Sequence, residues 1–483
     1  MNEITVDAVV FDGAIYPRTK PSSSIITEYA DALAGGATFP PIILEQGTNR
    51  LLDGYHRWKA HVKLRDEYQL SRKQADGEKL PEPPACIRAE WHTIPAGIEP
   101  KLYALFLSTS NGYRPTIAEK EAIAQEQFRK HPGTSAETIA KYTGVSDKSA
   151  RKYIKPLLAK FDEDKRSVIM RLDALGWTQQ QISDKLKALW PDAKGTSQKS
   201  VSDSLVETGK YRFLLKADID KGHAPATVAP RYALPEILAW QIAIDGLDDT
   251  KRMERLSVKL QPYDVWQFPS CHDLMGDNHP GRIPGQLIAH ALYFYTQPGD
   301  MVIDPMVGSG TTLDACLLMG RKCYGFDIDQ RHERPDVISH NIITDGWHEH
   351  TEKADLIFWD PPYFSKMDSS TIGSNGYIEG SISKLPRDEY LRFFGERFAE
   401  AKEKVKKGTK LAFLMSDWDD NTGEQDGIFV WDYADLIRKA GWKMTRHIQV
   451  PLSTQQVHPD IVNKFRASRR MARLERYLLI AEA

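Results

Sequence analysis

The stretch from Met301 to Phe326 constrains the fold more than any other part of the chain. Met301-Val302-Ile303 is a short apolar run, and Asp304-Pro305-Met306-Val307-Gly308-Ser309-Gly310-Thr311-Thr312 is a Gly-rich turn. Leu313-Asp314-Ala315-Cys316-Leu317-Leu318-Met319 then has helical character, and Cys323-Tyr324-Gly325-Phe326 is a second apolar run. Strand, turn, helix and strand in that order form the repeating unit of an open α/β sheet. Glycines in such a turn let the backbone approach a ligand closely, and the helix start offers free N–H groups to a carboxylate or phosphate. The second run ends in Asp327-Ile328-Asp329, where such sheets place an acid on ribose hydroxyls, Asp327 being the better placed of the two. The turn lacks the G-x-G-x-x-G spacing, which argues against NAD or FAD.

A second turn follows Leu356-Ile357-Phe358-Trp359, which has the composition of a buried strand. Asp360-Pro361-Pro362-Tyr363 must leave the sheet, because two consecutive prolines cannot continue a ladder. Ligands bind just outside the carboxyl ends of strands in open α/β sheets, so this acid, rigid turn and aromatic ring stand where a substrate is expected. Read alone, the four residues are equally an ordinary Pro-rich turn with a surface tyrosine.

From about Asp264 to Ala483 the chain resembles the S-adenosylmethionine-dependent DNA amino-methyltransferases, which modify adenine N6 or cytosine N4. His279-Pro280-Gly281-Arg282-Ile283-Pro284 with the apolar helix after it resembles that family's first cofactor motif, continuing into Asp304, Pro305, Gly308, Ser309, Gly310 and Thr311. Asp327 matches its ribose-binding acid, Asp345 an acid near the cofactor adenine, and Asp360 to Tyr363 its catalytic motif. The resemblance implies a Rossmann-like, doubly wound and mostly parallel α/β sheet, with S-adenosyl-L-methionine as cofactor. An Asp at the head of the catalytic motif points to adenine, where cytosine-N4 enzymes tend to carry Ser.

The chemistry accounts for these residue types. The lone pair of an exocyclic amine is delocalised into its ring until acceptors on its two protons draw the nitrogen toward tetrahedral geometry. Asp360 and the carbonyl of Pro361 are the expected acceptors, and Tyr363 is expected to stack on a base flipped out of the duplex. Positioning should then supply much of the rate. Ring-carbon cytosine methylation needs a cysteine after a proline, and none of Cys86, Cys271, Cys316 and Cys323 has one; all four read as small buried groups of a reducing compartment.

The chain has 483 residues, enough for two to four domains, and a formal net charge of −2, so a nucleic-acid footprint must be local. No apolar run is long enough to span a bilayer and the start has no signal-like segment, so cytoplasmic residence is the expectation. No Cys/His spacing suggests a metal.

Near the N-terminus, Pro41-Ile42-Ile43-Leu44 and Leu51-Leu52 read as two strands around Gly47-Thr48-Asn49, and Asp53-Gly54-Tyr55-His56-Arg57 opens a helix. This segment resembles the ParB/sulfiredoxin-like domain, with Ser108 to Arg114 similar to its later Asn/Arg segment. The resemblance implies nucleotide or phosphate contacts at Gly54, His56 and Arg57. The turn lacks the Glu-Arg-Arg form of CTP-hydrolysing partition proteins, and Tyr55 stands where sulfiredoxins have cysteine. A structural or DNA-binding version is equally open.

Beyond Arg114 the pattern turns helical. Glu137 to Ser146 followed by Lys148 to Ile154 has the small residue, turn glycine and capping serine of a helix-turn-helix. Its second helix is expected to present Lys148, Ser149, Arg151 and Lys152 to the major groove. Lys141 to Arg171 holds nine Lys/Arg against four Asp/Glu, read here as a basic face. A second copy is expected from Trp177 and from Thr196, with Lys199 outward; a plain helical bundle is the alternative. Gly222 to Pro230 reads as loop and Pro235 to Ile244 as helix.

The expected organisation is a ParB-like α+β domain over 1–115, a helical DNA-binding region over 116–210, a connector over 211–259 and the methyltransferase domain over 260–483. The short span after Tyr363 leaves little room for a target-recognition domain, so the helix-turn-helix region should select the site while Phe364 to Leu385 shapes the pocket. Lys464 to Arg470 is a further basic stretch, for phosphates or for solvent. The expected partner is double-stranded DNA, with a possible nucleotide at the N-terminal domain and a possible homodimer. Cytosine-N4 methylation, and a ParB-like regulator or partition protein that only senses the cofactor, are the competing readings.

Overall fold

A computed structural model describes residues 2–18, 21–73, 80–110, 115–278, 282–329, 334–364, 380–418, 427–451, 459–469 and 475–483. It divides into two compact units, one of residues 1–164 and 186–196 and one of residues 165–185 and 197–483.

The first unit holds β1 (Glu3–Thr5), α1 (Ser23–Ala34), β2 (Ile42–Glu45), β3 (Leu51–Asp53), α2 (Tyr55–Lys73), β4 (Cys86–His92) and α3 (Pro100–Ser110). Its sheet runs in the order β1-β4-β2-β3, with β2 and β4 parallel and the outer pairs antiparallel. Alternate residues Ile42 and Leu44 face a core with Leu51, Ile87 and Ala89, the period of two expected of a strand with one covered face. The β2–β3 turn works because Gly47 and Asn49 adopt positive φ.

The helical segment follows as α4 (Ile117–Lys130), α5 (Ala136–Thr143), α6 (Asp147–Ala174), α7 (Gln179–Leu189) and α8 (Gln198–Asp220). Thr116 and Glu119 form a capping box at α4, and Gly144, at φ 64°, ends α5 by donating to the Ala140 carbonyl. Ile139, Ala140, Ala150, Tyr153 and Ile154 share one core, so α5 and the first turns of α6 pack face to face. Both α6 and α7 run across the division between the units. The stretch 116–210 is therefore shared between them.

In the second unit the sequence reading of 222–230 as loop is corrected. Pro225 starts the short helix α9 (Pro225–Val228), because its fixed φ and missing N–H suit a first helical position. The segment continues through α10 (Glu236–Ala243) and α11 (Asp249–Arg255). Then come α12 (Gly285–Tyr295), β5 (Met301–Asp304), α13 (Thr311–Met319), β6 (Lys322–Asp327), β7 (Val337–Ser339), α14 (Ile342–Asp345) and β8 (Leu356–Trp359). The chain ends with α15 (Arg387–Lys404), β9 (Lys410–Met415), α16 (Val430–Lys439), β10 (Lys443–Gln449), α17 (Pro459–Ala467) and β11 (Tyr477–Glu482).

These strands form one sheet in the order β10-β11-β9-β8-β5-β6-β7. The five strands from β9 to β7 are mutually parallel, and β11 inserts antiparallel to both β9 and β10. All four residues of β8 are buried, as a central strand covered on both faces requires. Trp359 is fully buried, with its ring against Phe394 and Phe398 of α15 and Phe413 of β9. Among the described residues no helix is long and apolar enough to cross a membrane.

Candidate active site

The sheet order reverses at β5, which pairs with β6 on one side and β8 on the other. Right-handed crossovers then leave β5 and β8 in opposite directions and open a crevice at their carboxyl ends. Asp304 ends β5, Asp327 ends β6 on one side, and Asp360 follows β8 on the other. The topology brings three acids, far apart in sequence, to one edge.

Asp304 is 2% exposed. It accepts the Met306 N–H at 3.0 Å and a hydrogen bond from Thr312. Burial nevertheless pushes its carboxyl up to about 7, and the carboxylates of Asp360 and Asp327 add to the rise. Protonation of this carboxyl therefore extends well above the ordinary carboxylate range.

The Gly-rich turn is fixed from both sides. Val307 N–H donates to the Phe326 carbonyl at 2.9 Å, and Gly308 N–H to Asp327 Oδ2 at 2.8 Å. Asp327 Oδ1 also accepts the Asp329 N–H at 2.7 Å. Gly308 and Gly310 have φ of 52° and 82°. A Cβ on Gly308 would have no atom of the described residues within 4 Å, whereas one on Gly310 would lie 2.2 Å from the guanidinium carbon of Arg334. One side of the turn is thus open to a ligand and the other is packed. Pro305, Ser309 and Thr311 are buried beneath it, and the Ser309 carbonyl accepts the Asp277 N–H at 3.1 Å.

The turn from Asp360 to Tyr363 is held as firmly. Tyr390, fully buried in α15, donates its hydroxyl to the Pro362 carbonyl at 3.0 Å. Phe364 meets the rings of Tyr390 and Trp418 edge-on at 5.1 and 4.7 Å. Pro361 is buried, while Asp360, Pro362 and Tyr363 are partly exposed. Tyr363 was expected to stack on a base; its hydroxyl here donates to Asp360 Oδ1 at 2.9 Å, orienting the carboxylate.

Of the remaining residues expected at the cofactor, Pro284 is buried at the start of α12, and His279 lies outside the described residues. Asp345 ends α14, exposed, accepting the Thr344 hydroxyl at 2.8 Å. The sequence reading missed Tyr390 and Arg334. It also missed Asp314, whose only signal was a lone acid in an otherwise apolar helix.

Lys148, Arg151 and Lys152 are exposed on the first turns of α6, and Lys199 is exposed on α8. Ser149 instead lies 3.0 Å from the Ser146 hydroxyl at the helix cap. The basic face over 141–171 is smaller than its charge count. Arg171 is an internal ion-pair partner, and Arg166 donates to the Tyr232 carbonyl at 3.1 Å with its guanidinium over Tyr211. His56 and Arg57, expected to meet a phosphate, have partners within the chain. Arg57 donates to the carbonyls of Pro40 and Pro41 at 2.9 and 2.8 Å and to Asp53 at 2.8 Å. His56 accepts the Ser22 N–H at 3.1 Å and is held neutral by burial. Gly54, at φ 95°, lets the turn pass Ile42, and these three residues line a pocket of about 210 Å³. Asn111 to Arg114 lie outside the described residues, as does most of Phe364 to Leu385.

A family model described as DNA methylase matches residues 117–338. That span contains the Gly-rich turn and Asp327 and ends before Asp360. The DNA adenine methyltransferase YhdJ of Escherichia coli is 37% identical over 86 residues, 16% of this chain and 29% of that protein. The type II methyltransferase M.BglII of Bacillus subtilis is 34% identical over 73 residues, 15% of this chain and 20% of that protein. Among solved structures, TrmN from Thermus thermophilus is matched over 41% of this chain and 49% of that one, at 14% identity and a TM-score of 0.25. The chain spans less than a third of the length of the two curated relatives. It is similar to DNA methylases over less than half of its own length.

Proposed function

We propose that the chain is a DNA methyltransferase that moves a methyl group from S-adenosylmethionine to the exocyclic N6 of adenine. The observation that carries this reading is the meeting of Asp304, Asp327 and Asp360 at the carboxyl edge of β5, β6 and β8, beside a Gly-rich turn open on one side. Similarity to a DNA adenine methyltransferase supports adenine as the target.

The residues present fit this cofactor. Gly308 allows close backbone approach, and Asp327, tied to the turn and partly exposed, is the acid for the ribose hydroxyls. Bound S-adenosylmethionine supplies an electrophilic methyl group on a sulfonium sulfur. Asp360 accepts one proton of the target amine in a hydrogen bond, the Pro361 carbonyl accepts the other, and the nitrogen lone pair is thereby released from the ring. Tyr363 orients the Asp360 carboxylate, and Tyr390 fixes the Pro362 backbone that follows. The chain forms no covalent bond to the base, so alignment carries the rate. The base reaches the crevice by leaving the duplex, at a cost of a few kcal/mol.

Site selection belongs to α5 and α6, with Lys148, Arg151 and Lys152 facing the DNA. Methyl transfer to DNA by the full chain and by Asp360→Ala tests the reading. The variant should bind S-adenosylmethionine but lose at least about 100-fold in rate. A variant with the parent's rate would refute the role given to Asp360.

A further inference from the structure

Behind the Gly-rich turn lies a cluster of two arginines and two aspartates that the mechanism above does not use. Asp314 sits in α13 and Asp336 just before β7; their side chains are 6% and 0% exposed. Arg334 donates to Asp314 at 2.9 Å, to Asp336 at 3.0 and 3.1 Å, and to the Ser309 carbonyl at 3.1 Å. Arg171, from the last turn of α6, bonds Asp336 at 2.6 Å and also pairs with Asp314. Asp314 Oδ2 in turn accepts the Gly276 N–H at 2.7 Å, and Gly276 precedes the residue whose N–H meets Ser309.

At the buried centre of the cluster two arginines face two aspartates, each guanidinium spanning both carboxylates, while the half-exposed Asp277 lies 3.6 Å from Arg334 at its edge. It ends on the backbone atoms of Ser309 and Gly276. A Cβ on Gly310 would enter the Arg334 guanidinium, so this arginine also forms the packed side of the turn. Burial opposes every charge here. The carboxylates nonetheless hold Arg334 well above its ordinary range, and the arginines hold Asp336 below the usual carboxylate range. Without Arg171, two buried carboxylates would compete for Arg334 and draw it from Ser309.

We propose that Arg171 is a positioning residue for the cofactor turn, acting through Arg334 on the Ser309 backbone. The inference rests on the reading of this turn as the S-adenosylmethionine site. It gives α6 two roles: its first turns carry the residues assigned to DNA, and its last turn sets the cofactor loop.

The test is calorimetric binding of S-adenosylmethionine and S-adenosylhomocysteine to the full chain, with steady-state methylation alongside. Arg171→Gln should weaken binding of both about tenfold or more, equivalent to about 1.4 kcal/mol. KM for S-adenosylmethionine should rise in step while kcat changes less than about threefold. Arg171→Gln with Asp336→Asn restores the charge balance and should recover most of the affinity. Arg171→Lys, which keeps the charge without the planar fork, should fall between. If Arg171→Gln does not fold, Arg171→Lys decides by the same measure. A folded variant with the parent's affinity would overturn the inference. A parent protein that binds neither ligand would instead overturn the functional reading on which it depends.

Discussion

Asp304→Asn should change how stability depends on pH. In the folded chain this carboxyl titrates near 7, against an ordinary value of 3.8, because it is buried beside two other carboxylates. A raised carboxyl keeps its proton in the folded state after the unfolded state has lost it. Stability contributed by Asp304 is therefore complete below about pH 4 and falls as pH rises, until the folded carboxyl ionises near 7. Each pH unit across that window costs about 1.4 kcal/mol, or ~4 kcal/mol in all as an upper figure. Asparagine keeps the shape and does not titrate. Between pH 5 and 7 the variant should gain roughly 2–3 kcal/mol relative to the parent. Scanning calorimetry of both proteins at pH 5, 6, 7 and 8 reads this as a widening Tm difference, at roughly 1–2 °C per kcal/mol for a chain of this size. Comparing the two cancels the titration of every group that does not interact with Asp304. A constant Tm difference from pH 5 to 8 would refute the burial argument, and a difference that narrowed with pH would mean a lowered carboxyl.

Tyr390→Phe removes the hydroxyl from the Pro362 carbonyl and should cost about 1 kcal/mol of stability. Its methylation rate should fall while its Kd for S-adenosylmethionine does not change, and a parent-like rate would show that the turn needs no such support. Arg151→Ala and Lys152→Ala should each weaken DNA binding, and each should make the slope of log affinity against log salt shallower by about one. Fluorescence anisotropy across a salt series checks this, and unchanged slopes would remove these side chains from the interface.

The parts of this fold that were legible in the sequence are those where backbone chemistry forces one answer. The two prolines after Trp359 end β8, and the glycines after Asp304 turn β5 into α13. The apolar runs at 301–303, 323–326 and 356–359 all became strands of one sheet. What escaped depends on distant partners. Asp314 looked like a stray acid in a buried helix until Arg334 and Arg171, the latter far upstream, met it. Arg171 was counted into a basic surface because a charge tally cannot see which guanidinium is internal. The bonds of Arg57 to the Pro40 and Pro41 carbonyls and to Asp53 were likewise invisible in the sequence.

These contacts also redefine a truncation test of site selection. A cut at residue 210 would remove Arg171, the partner of Asp314 and Asp336 behind the Gly-rich turn, and Lys185, which donates to the Val337 carbonyl at 2.8 Å. Loss of methylation after such a cut would say nothing about DNA reading. Surface substitutions on α6 separate the two roles.

The most direct measurement is the nucleoside composition of DNA methylated by the full chain with S-adenosylmethionine, read by mass spectrometry after complete digestion. The account predicts N6-methyladenine from the parent and an unmodified digest from Asp360→Ala. N4-methylcytosine, or DNA left unmodified by a parent protein that binds S-adenosylmethionine, would contradict it.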